Sequence, residues 1–404
     1  MMPRCRLSES AERRRVTVCI GMTQLINWGT AFYLPGVFCA AIAADRGWSP
    51  TLAFSGATLA LVVMGCLSPY AGWLLDRVGG RRVMTLGAAS SAAGCLLMAA
   101  STGMADYFIA WVMLGVGMRL SLYEAAFATL VALYGGEARR AISLVTLFGG
   151  ISSSLFWPLG MTLLNGLGWR WGVAIYGVIM LSGLLWLRAL PQPASRLSPR
   201  TEEQAQTSPS AGTQAVLPAV LYALLMALFS FLSAGISAHL LAILTGFGVS
   251  ASLGALWGVG QVCARVGDVL MGGRIPALKL SLFLGAGLPV CFLLALLGEQ
   301  SLIAVVLFVT GYGAANGLST LVKAALPLEL FGRARYSSRI GLLLTPGFFF
   351  SAAAPSVYAA LRISIGDRGV LMFSFGVACL ITLTALLLYL TRQRVVQTVP
   401  LPDD

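Results

Sequence analysis

Charged residues and histidine are scarce in this chain, and the shortage of charge defines its class. Only 10% of the 404 residues are charged, whereas a soluble globular protein carries about a quarter. Hydrophobic residues make up 58% of the chain, and the mean hydropathy is +0.84. This composition excludes an ordinary soluble domain and indicates an all-α polytopic membrane protein. A transmembrane β-barrel is excluded as well, because its strands alternate over about ten residues, and the apolar runs here are long and unalternating.

The residue patterns of common enzymes and metal sites are also missing. The single histidine, His239, stands alone, and no G-x-x-x-x-G-K-[ST] loop for nucleotide phosphates occurs. The eight cysteines show no C-x-x-C spacing, so neither a zinc site nor a disulfide framework is expected. We therefore predict a protein that is not an enzyme and has no cofactor and no bound metal.

Long apolar segments are what the chain has instead. A membrane-spanning helix needs about 20 apolar residues. Twelve such segments can be placed, and they begin near Val16, Thr51, Val83, Ala105, Ala141, Arg170, Val216, Ser250, Leu280, Leu302, Ser338 and Arg368. Residues 191–214 are rich in Pro, Ser and Gln, which is typical of a flexible linker. The sequence thus predicts a six-helix half over 1–190, a linker over 191–214 and a second six-helix half over 215–404.

The basic residues predict the orientation of these segments. With both termini in the cytoplasm, 20 Lys and Arg residues fall in inner loops and 4 in outer loops, as the positive-inside rule requires. This distribution accounts for the net charge of +12 without a nucleic-acid partner. We expect a multi-pass protein of the bacterial inner membrane that is a monomer in the lipid bilayer.

The loop between the second and third segments, Gly72–Arg82, reads GWLLDRVGGRR and has a weaker copy in the second half. That copy, GDVLMGGR, runs from Gly267 to Arg274 between the eighth and ninth segments. Gly79 and Gly80 allow backbone angles that other residues avoid. Further echoes in the same order, LYGGEAR with LFGRAR and LGVG with TGYG, indicate an internal duplication, which is one known layout of transporters.

The pattern Gly72-x-x-x-Asp76-Arg77-x-Gly79-Gly80-Arg81 resembles the signature loop of the major facilitator superfamily, and the twelve segments, linker and repeat agree with it over nearly the whole chain. The resemblance implies two six-helix halves that rock about a central site. It also implies that Asp76 accepts contacts from Arg77 and Arg81 that hold the outward-open state. The predicted gating set is Gly72, Asp76, Arg77, Gly79, Gly80, Arg81 and Asp268.

Three shorter stretches resemble a bacterial branch of that superfamily, some members of which export arsenite and other trivalent arsenicals. They are NWGTAFYLPGV at Asn27–Val37, LYEAAFATL at Leu122–Leu130, and ARRAISLVTLFGG with the later WPL at Ala138–Leu159. Because trivalent arsenic seeks thiols, Cys263 is the cysteine best placed to contact it. Its position two residues from Gln261, about 200° around a helix, weakens this idea.

Ionisable residues inside an apolar segment cost at least about 2.5 kcal/mol each and therefore mark candidate sites. The fourth segment carries Arg119, Tyr123 and Glu124. On a continuous helix Arg119 and Tyr123 share a face, whereas Glu124 lies about 140° from Arg119, so we expect each charge to pair with another span. Arg119 would bind an anionic or polar group and Glu124 would carry a proton; a purely structural ion pair is the alternative.

The resemblance implies a cavity lined by segments 1, 4, 7 and 10. The predicted pathway for substrate and proton is formed by Asn27, Arg119, Tyr123, Glu124, Gln261, Arg265 and Asn316, with Ser230, Ser233 and Ser237 also lining the cavity. The predicted function is secondary active transport of a small molecule by alternating access, as a proton-coupled efflux antiporter, with arsenite as the candidate substrate. The alternatives are uptake of a small organic anion such as a monocarboxylate, and a membrane receptor that transports nothing.

Overall fold

A computed structural model describes residues 3–191, 216–298 and 300–397, and all regular structure in those ranges is helical. The α-helices are α1 (Pro3–Asn27), α2 (Leu34–Arg46), α3 (Pro50–Val78), α4 (Gly80–Ala100), α5 (Met104–Ser121), α6 (Tyr123–Tyr134), α7 (Ala138–Arg188), α8 (Val216–Gly246), α9 (Ala255–Leu270), α10 (Ala277–Leu296), α11 (Leu302–Phe331), α12 (Tyr336–Leu343) and α13 (Thr345–Gln397). A π-helix, Trp28–Phe32, joins α1 to α2, and 3₁₀ turns cover Gly135–Glu137 and Ala251–Gly254. The predicted linker lies outside the described residues except for Pro191, so the domain boundaries stay a prediction.

These helices form the twelve predicted spans. In the described ranges, eight helical stretches are long and apolar enough to cross a membrane. Two of them contain several crossings: Met104–Arg188, with 85 residues, holds spans 4 to 6, and Tyr336–Gln393, with 58 residues, holds spans 11 and 12. Span 8 is α9, which has 16 residues. The prediction of an all-α fold with twelve spans is confirmed.

The chain divides into two compact units. The first comprises Met1–Arg196 together with the short segment Ser337–Leu342, and the second comprises Leu197–Tyr336 with Leu343–Asp404. In each unit the last two spans are joined by a glycine with positive φ inside a long helix: Gly168 (φ 79°) in α7 and Gly366 (φ 70°) in α13. Because glycine adopts such angles without steric cost, the two equivalent turns agree with the internal duplication.

The paired glycines of the signature loop serve different purposes. Gly79 ends α3 with φ 88° and ψ 150°, a conformation that side chains with a Cβ avoid. Gly80 is already the first residue of α4, and a Cβ there would collide with the side chain of Thr129. The expectation that both glycines supply unusual backbone angles therefore holds for Gly79 only, since Gly80 supplies space between two helices.

A stripe of small residues on α3 brings it into backbone contact with α12. Ser68, Gly72 and Asp76 are spaced four residues apart and so lie on one face of α3. A Cβ on Gly72 would collide with the Ser337 carbonyl, and a Cβ on Gly341 would lie 2.5 Å from the Ser68 carbonyl oxygen. The Ser68 hydroxyl donates a hydrogen bond of 2.6 Å to the Gly341 carbonyl. This close approach, in the first unit, needs glycine on both helices.

Replacing Gly72 tests that packing. We expect Gly72→Ala to lower the unfolding temperature of the purified protein, because overpacking against backbone atoms costs about 1–3 kcal/mol. Gly166→Ala is the matched control, since a Cβ on Gly166 meets nothing within 4 Å, and alanine is the better helix former. Equal unfolding temperatures of the two variants, followed by intrinsic fluorescence in detergent, would contradict the tight α3–α12 contact.

Candidate functional site

Span 4 is interrupted in the middle of its apolar stretch, which the sequence analysis did not anticipate. Helix α5 ends at Ser121 and α6 begins at Tyr123, with Leu122 extended between them (φ −78°, ψ −166°). The amides of Ala125 and Ala126 both donate to the Leu122 carbonyl, at 3.0 and 3.1 Å. In a regular helix the Ala125 amide would bond to the Ser121 carbonyl, so the break releases that carbonyl from the helical pattern.

Two amide side chains of span 1 bind the released carbonyl. Gln24 Nε2 donates to Ser121 O at 2.8 Å, and Asn27 Nδ2 donates to the same oxygen at 3.4 Å. Gln24 and Asn27 are 0% and 1% exposed. Irregular backbone at membrane depth is tolerated only where protein or water satisfies it, and these two side chains do so. The π-helix that follows Asn27 belongs to a class of irregularity that often marks functional sites.

The side-chain oxygens of the same two amides are candidates for binding a solute. Gln24 Oε1 and Asn27 Oδ1 are buried and meet no hydrogen-bond donor within the described part of the chain. Each lies about 2.3 Å from its own amide nitrogen, so both acceptors are close to the Ser121 carbonyl. The site can therefore accept hydrogen bonds from a solute that carries O–H or N–H groups.

Arg119 forms hydrogen bonds to Ser68, which was not among the predicted site residues. The Arg119 guanidinium is 1% exposed, and it donates from Nε to Ser68 Oγ at 3.0 Å and from Nη2 to Ser68 O at 3.1 Å. Because Ser68 also donates to Gly341, it links Arg119 to α12. The only sign of Ser68 in the sequence is its spacing of four and eight residues from Gly72 and Asp76, inside an otherwise apolar run.

The helix break changes the relation between Arg119 and Glu124. Glu124 is 8% exposed, and its charge interacts with the Arg119 guanidinium. The prediction that these two residues are poor partners assumed a continuous helix through Leu122, and the break removes its basis. The same assumption placed Arg119 and Tyr123 on one face, and the extended Leu122 removes that argument too. Arg119 and Glu124 are two buried side chains of opposite charge on either side of the break.

Aromatic side chains form one wall beside this charged group. The Tyr123 hydroxyl donates to the Thr146 carbonyl at 3.1 Å. Its ring stacks on Phe127, with centroids 5.0 Å apart, and also contacts the Trp28 ring, with centroids 4.7 Å apart. A Cβ on Gly149 would collide with the Tyr123 hydroxyl, so this glycine of span 5 makes room for the tyrosine. Asn27, Arg119, Tyr123 and Glu124 are thus brought together in the first unit.

The gating residues contact different partners from those expected. Asp76 Oδ2 accepts hydrogen bonds from the Ser338 amide, at 2.9 Å, and from the Ser338 hydroxyl. The Arg77 guanidinium lies over the Trp73 ring at 5.1 Å. Arg81 Nη1 donates to the Leu190 carbonyl at 3.1 Å, just beyond the end of α7. The predicted arginine contacts of Asp76 are therefore replaced by contacts to the first turn of α12.

The second unit contains its own polar group. Ser233 Oγ of span 7 donates to Asn316 Oδ1 of span 10 at 2.7 Å, so these two predicted lining residues are in contact. Arg265 and Asp268 are each 4% exposed, and Arg265 Nε donates to the Gly317 carbonyl at 3.3 Å. The Gln261 backbone packs on Gly317, where a Cβ would meet it at 2.8 Å. Unlike span 4, span 10 is one uninterrupted helix, α11.

Two predicted candidates lie apart from these groups. Cys263 is exposed, and Ser237, predicted to line the cavity, is also exposed. His239 Nε2 is 2.9 Å from the Pro355 carbonyl and its ring stacks on Tyr358, as a structural histidine would. Among the described residues, no three His, Cys, Asp or Glu side chains form a group that could hold a metal ion.

Comparisons with known proteins agree with this architecture. The crystal structure of the human organic anion transporter MFSD10 (TETRAN) has 19% sequence identity and a TM-score of 0.69, and the match covers 92% of this chain and 99% of that chain. The proton:xylose symporter XylE bound to 6-bromo-6-deoxy-D-glucose has 15% identity and a TM-score of 0.74, with 97% and 96% covered. At such identities the likeness shows the fold alone. A search of curated protein sequences finds no match.

The family assignment rests on a match to a sequence profile that covers well over half of the chain. The profile described as Major Facilitator Superfamily matches residues 19–355, which span all of the candidate residues in both units. Members of this family are multi-pass membrane transporters and not enzymes, in agreement with the twelve apolar spans. The chain belongs to the Major Facilitator Superfamily.

Proposed function

We propose that this protein is a proton-coupled secondary active transporter that moves a small solute by alternating access, with Glu124 as the proton carrier. The observation that carries the proposal is the buried Arg119–Glu124 group at the break in span 4. A buried acid beside a buried arginine can change the charge of its surroundings by taking up one proton. A purely structural ion pair needs neither the helix break nor the link to α12.

In this proposal, Ser68 transmits the effect of Glu124 protonation to the contact between α3 and α12. When Glu124 is ionised, its charge compensates Arg119. When Glu124 is protonated, its charge no longer compensates the buried Arg119 cation, which is costly. The hydrogen bonds from Arg119 to the Ser68 oxygens then contribute more to the stabilisation of the guanidinium. Ser68 also bonds to Gly341 of α12, and α12 is the helix whose Ser338 binds Asp76. Glu124 protonation thereby biases the α3–α12 contact, which acts as the conformational latch.

The solute is proposed to bind beside this group in the first unit. Gln24 Oε1 and Asn27 Oδ1 offer two buried acceptors, and Trp28 with Tyr123 offers an aromatic surface. The branch likeness favours efflux of arsenite, which as undissociated arsenious acid carries O–H donors that suit those oxygens. Thiol binding gains no support, since Cys263, the candidate thiol, is exposed and belongs to the second unit.

The orientation and surroundings of the transporter belong to the same proposal. The 20 to 4 distribution of basic residues supports a bacterial inner membrane location with both termini in the cytoplasm. We propose a monomer, since each six-helix half supplies its own buried polar group. Proton antiport drives export in this scheme.

A second candidate is uptake of a small organic anion, with Arg119 as its receptor. The observation in its favour is a fully buried guanidinium in span 4. Two observations weigh against it: Ser68 already occupies Nε and Nη2, and Glu124 already compensates the charge. A receptor that transports nothing is the third reading, and measured flux of any solute excludes it.

Glu124→Gln tests the coupling. In proteoliposomes, we expect this variant to keep solute counterflow at equal pH and to lose accumulation driven by a pH gradient, because glutamine cannot release a proton. The panel of solutes is arsenite, antimonite and lactate. Glu12→Gln is the control, since Glu12 is an exposed acid of the first unit. Gradient-driven flux that is unchanged in Glu124→Gln would refute Glu124 as the proton carrier.

Ser68→Ala tests the link between Arg119 and the latch. Hydrogen bonds to a charged group contribute about 1.5–3 kcal/mol, so we expect a lower unfolding temperature and a changed pH dependence of transport. The matched control is Ser55→Ala on the same helix, because the Ser55 hydroxyl donates to the Leu52 carbonyl of its own helix. A pH profile that matches the control would show that Ser68 does not couple the two sites.

Arg119→Gln separates the two transport hypotheses. If Arg119 receives an organic anion, lactate flux disappears while the pH dependence of any remaining exchange is retained. If Arg119 instead balances Glu124, the variant changes the coupling of arsenite flux to the pH gradient, because the proton carrier loses the buried cation that the scheme pairs with it. Lactate transport at the wild-type rate in Arg119→Gln would exclude the anion hypothesis.

A further inference from the structure

One face of α1, in the part of the helix that precedes Gln24 and Asn27, lines a basic cavity. Helix α1 presents Ala11, Arg14, Arg15, Val18 and Cys19, which follow the helical spacing of one face. Together with Trp186, near the end of α7, these residues line a cavity of 470 Å³. The two charged side chains of the lining are both cationic, so the cavity attracts anions.

Arg13, Arg14 and Arg15 of α1 have different contacts. Arg13 forms an ion pair with Glu137 and lies over the Tyr134 ring at 5.5 Å, so it belongs to the opposite face. Arg15 Nη2 donates to the Ala189 carbonyl at 3.1 Å, which fixes the guanidinium at the end of α7. Glu12 is exposed and is not among the residues that line the cavity. Arg14 and Arg15 are left as the charges that line the cavity.

Helix α7 also has an exposed apolar face, centred about 100° around the helix from Trp186. On α7, Val178, Leu181 and Leu185 are 60%, 40% and 64% exposed, and their spacing of three and four residues puts them on one face. Val18 on α1 is 38% exposed and Trp186 is 37% exposed. Tryptophan is enriched where the hydrocarbon of a bilayer meets its head groups. The cavity therefore lies at the membrane boundary, above a surface suited to acyl chains.

We infer that this cavity is a binding site for the phosphate head group of an anionic phospholipid, with one acyl chain along the exposed face of α7. Arginine binds phosphate through several N–H groups at once, and basic pockets between transmembrane helices recognise acidic lipid head groups. The apolar face selects a lipid over free phosphate. The site does not depend on the identity of the transported solute or on proton coupling.

The experiment uses the full-length protein purified in detergent and measures its thermal stabilisation by added phosphatidylglycerol, cardiolipin or phosphatidylcholine. The wild-type protein is expected to be stabilised by the two anionic lipids and not by phosphatidylcholine. Removing one arginine weakens the apparent lipid affinity about fivefold, and removing both weakens it about twenty-five-fold. The variants are Arg14→Gln and Arg14→Gln with Arg15→Gln.

Arg140→Gln is the matched control, since it removes one exposed positive charge from the first unit outside the cavity. Equal losses of lipid affinity in Arg14→Gln and Arg140→Gln would overturn the site and indicate general charge attraction. Should the double variant fail to fold because Arg15 caps α7, Arg14→Gln alone decides. Inorganic phosphate that stabilises the protein as well as phosphatidylglycerol would also overturn the proposal, because the apolar face would then be irrelevant.

Discussion

Inside a bilayer, a polar group that loses its partner in a helix must find another within the protein, because no bulk water is present to replace it. The centre of the first unit follows from this constraint. The break at Leu122 exposes the Ser121 carbonyl, and Gln24 bonds to it from span 1. Arg119 obtains its bonds from Ser68. In both cases a polar group of one span forms a hydrogen bond with a polar group of another span. The polar residues of spans 1, 2 and 4 therefore form one connected group.

Ser68 connects this buried polar group to helix α12. Its hydroxyl accepts from Arg119 and donates to Gly341, so the same atom serves the buried charges and the α3–α12 contact. Eight residues along α3, Asp76 binds the first turn of α12. The signature loop is therefore one end of a stripe whose other end touches the candidate site. Sequence resemblance assigned the loop to gating, and the stripe supplies a physical route by which the site can act on it.

The sequence predicted the class of fold because that class depends on bulk properties. A charge content of 10% and twelve long apolar runs determine a helical membrane protein whatever the details. The candidate charges were also visible, since Arg119 and Glu124 interrupt an apolar run. The break between them was not, because Leu122 is neither glycine nor proline and gives no local signal. Its cause is tertiary: partners in span 1 stabilise a conformation that the local sequence does not favour.

Other misses have the same origin. Ser68 looks like one more small residue of an apolar span, and only the position of Arg119 in space gives it a role. Gly80 was interpreted through its backbone freedom, whereas its missing side chain admits Thr129. Asp76 was paired with neighbouring arginines, although a helix end distant in sequence offers the amide it binds. Local patterns identify which residues are unusual, but packing decides which partner each one meets.

The break in span 4 also places each buried charge at a helix end. Arg119 lies in the last turn of α5 and Glu124 in the first turn of α6. The end of a helix carries a partial negative charge and the start of a helix a partial positive one. Both side chains therefore face the pole that suits them, which a continuous helix would not provide. The order of the two charges along the chain has a physical meaning: a protein with them exchanged would keep both buried charges and oppose both helix dipoles.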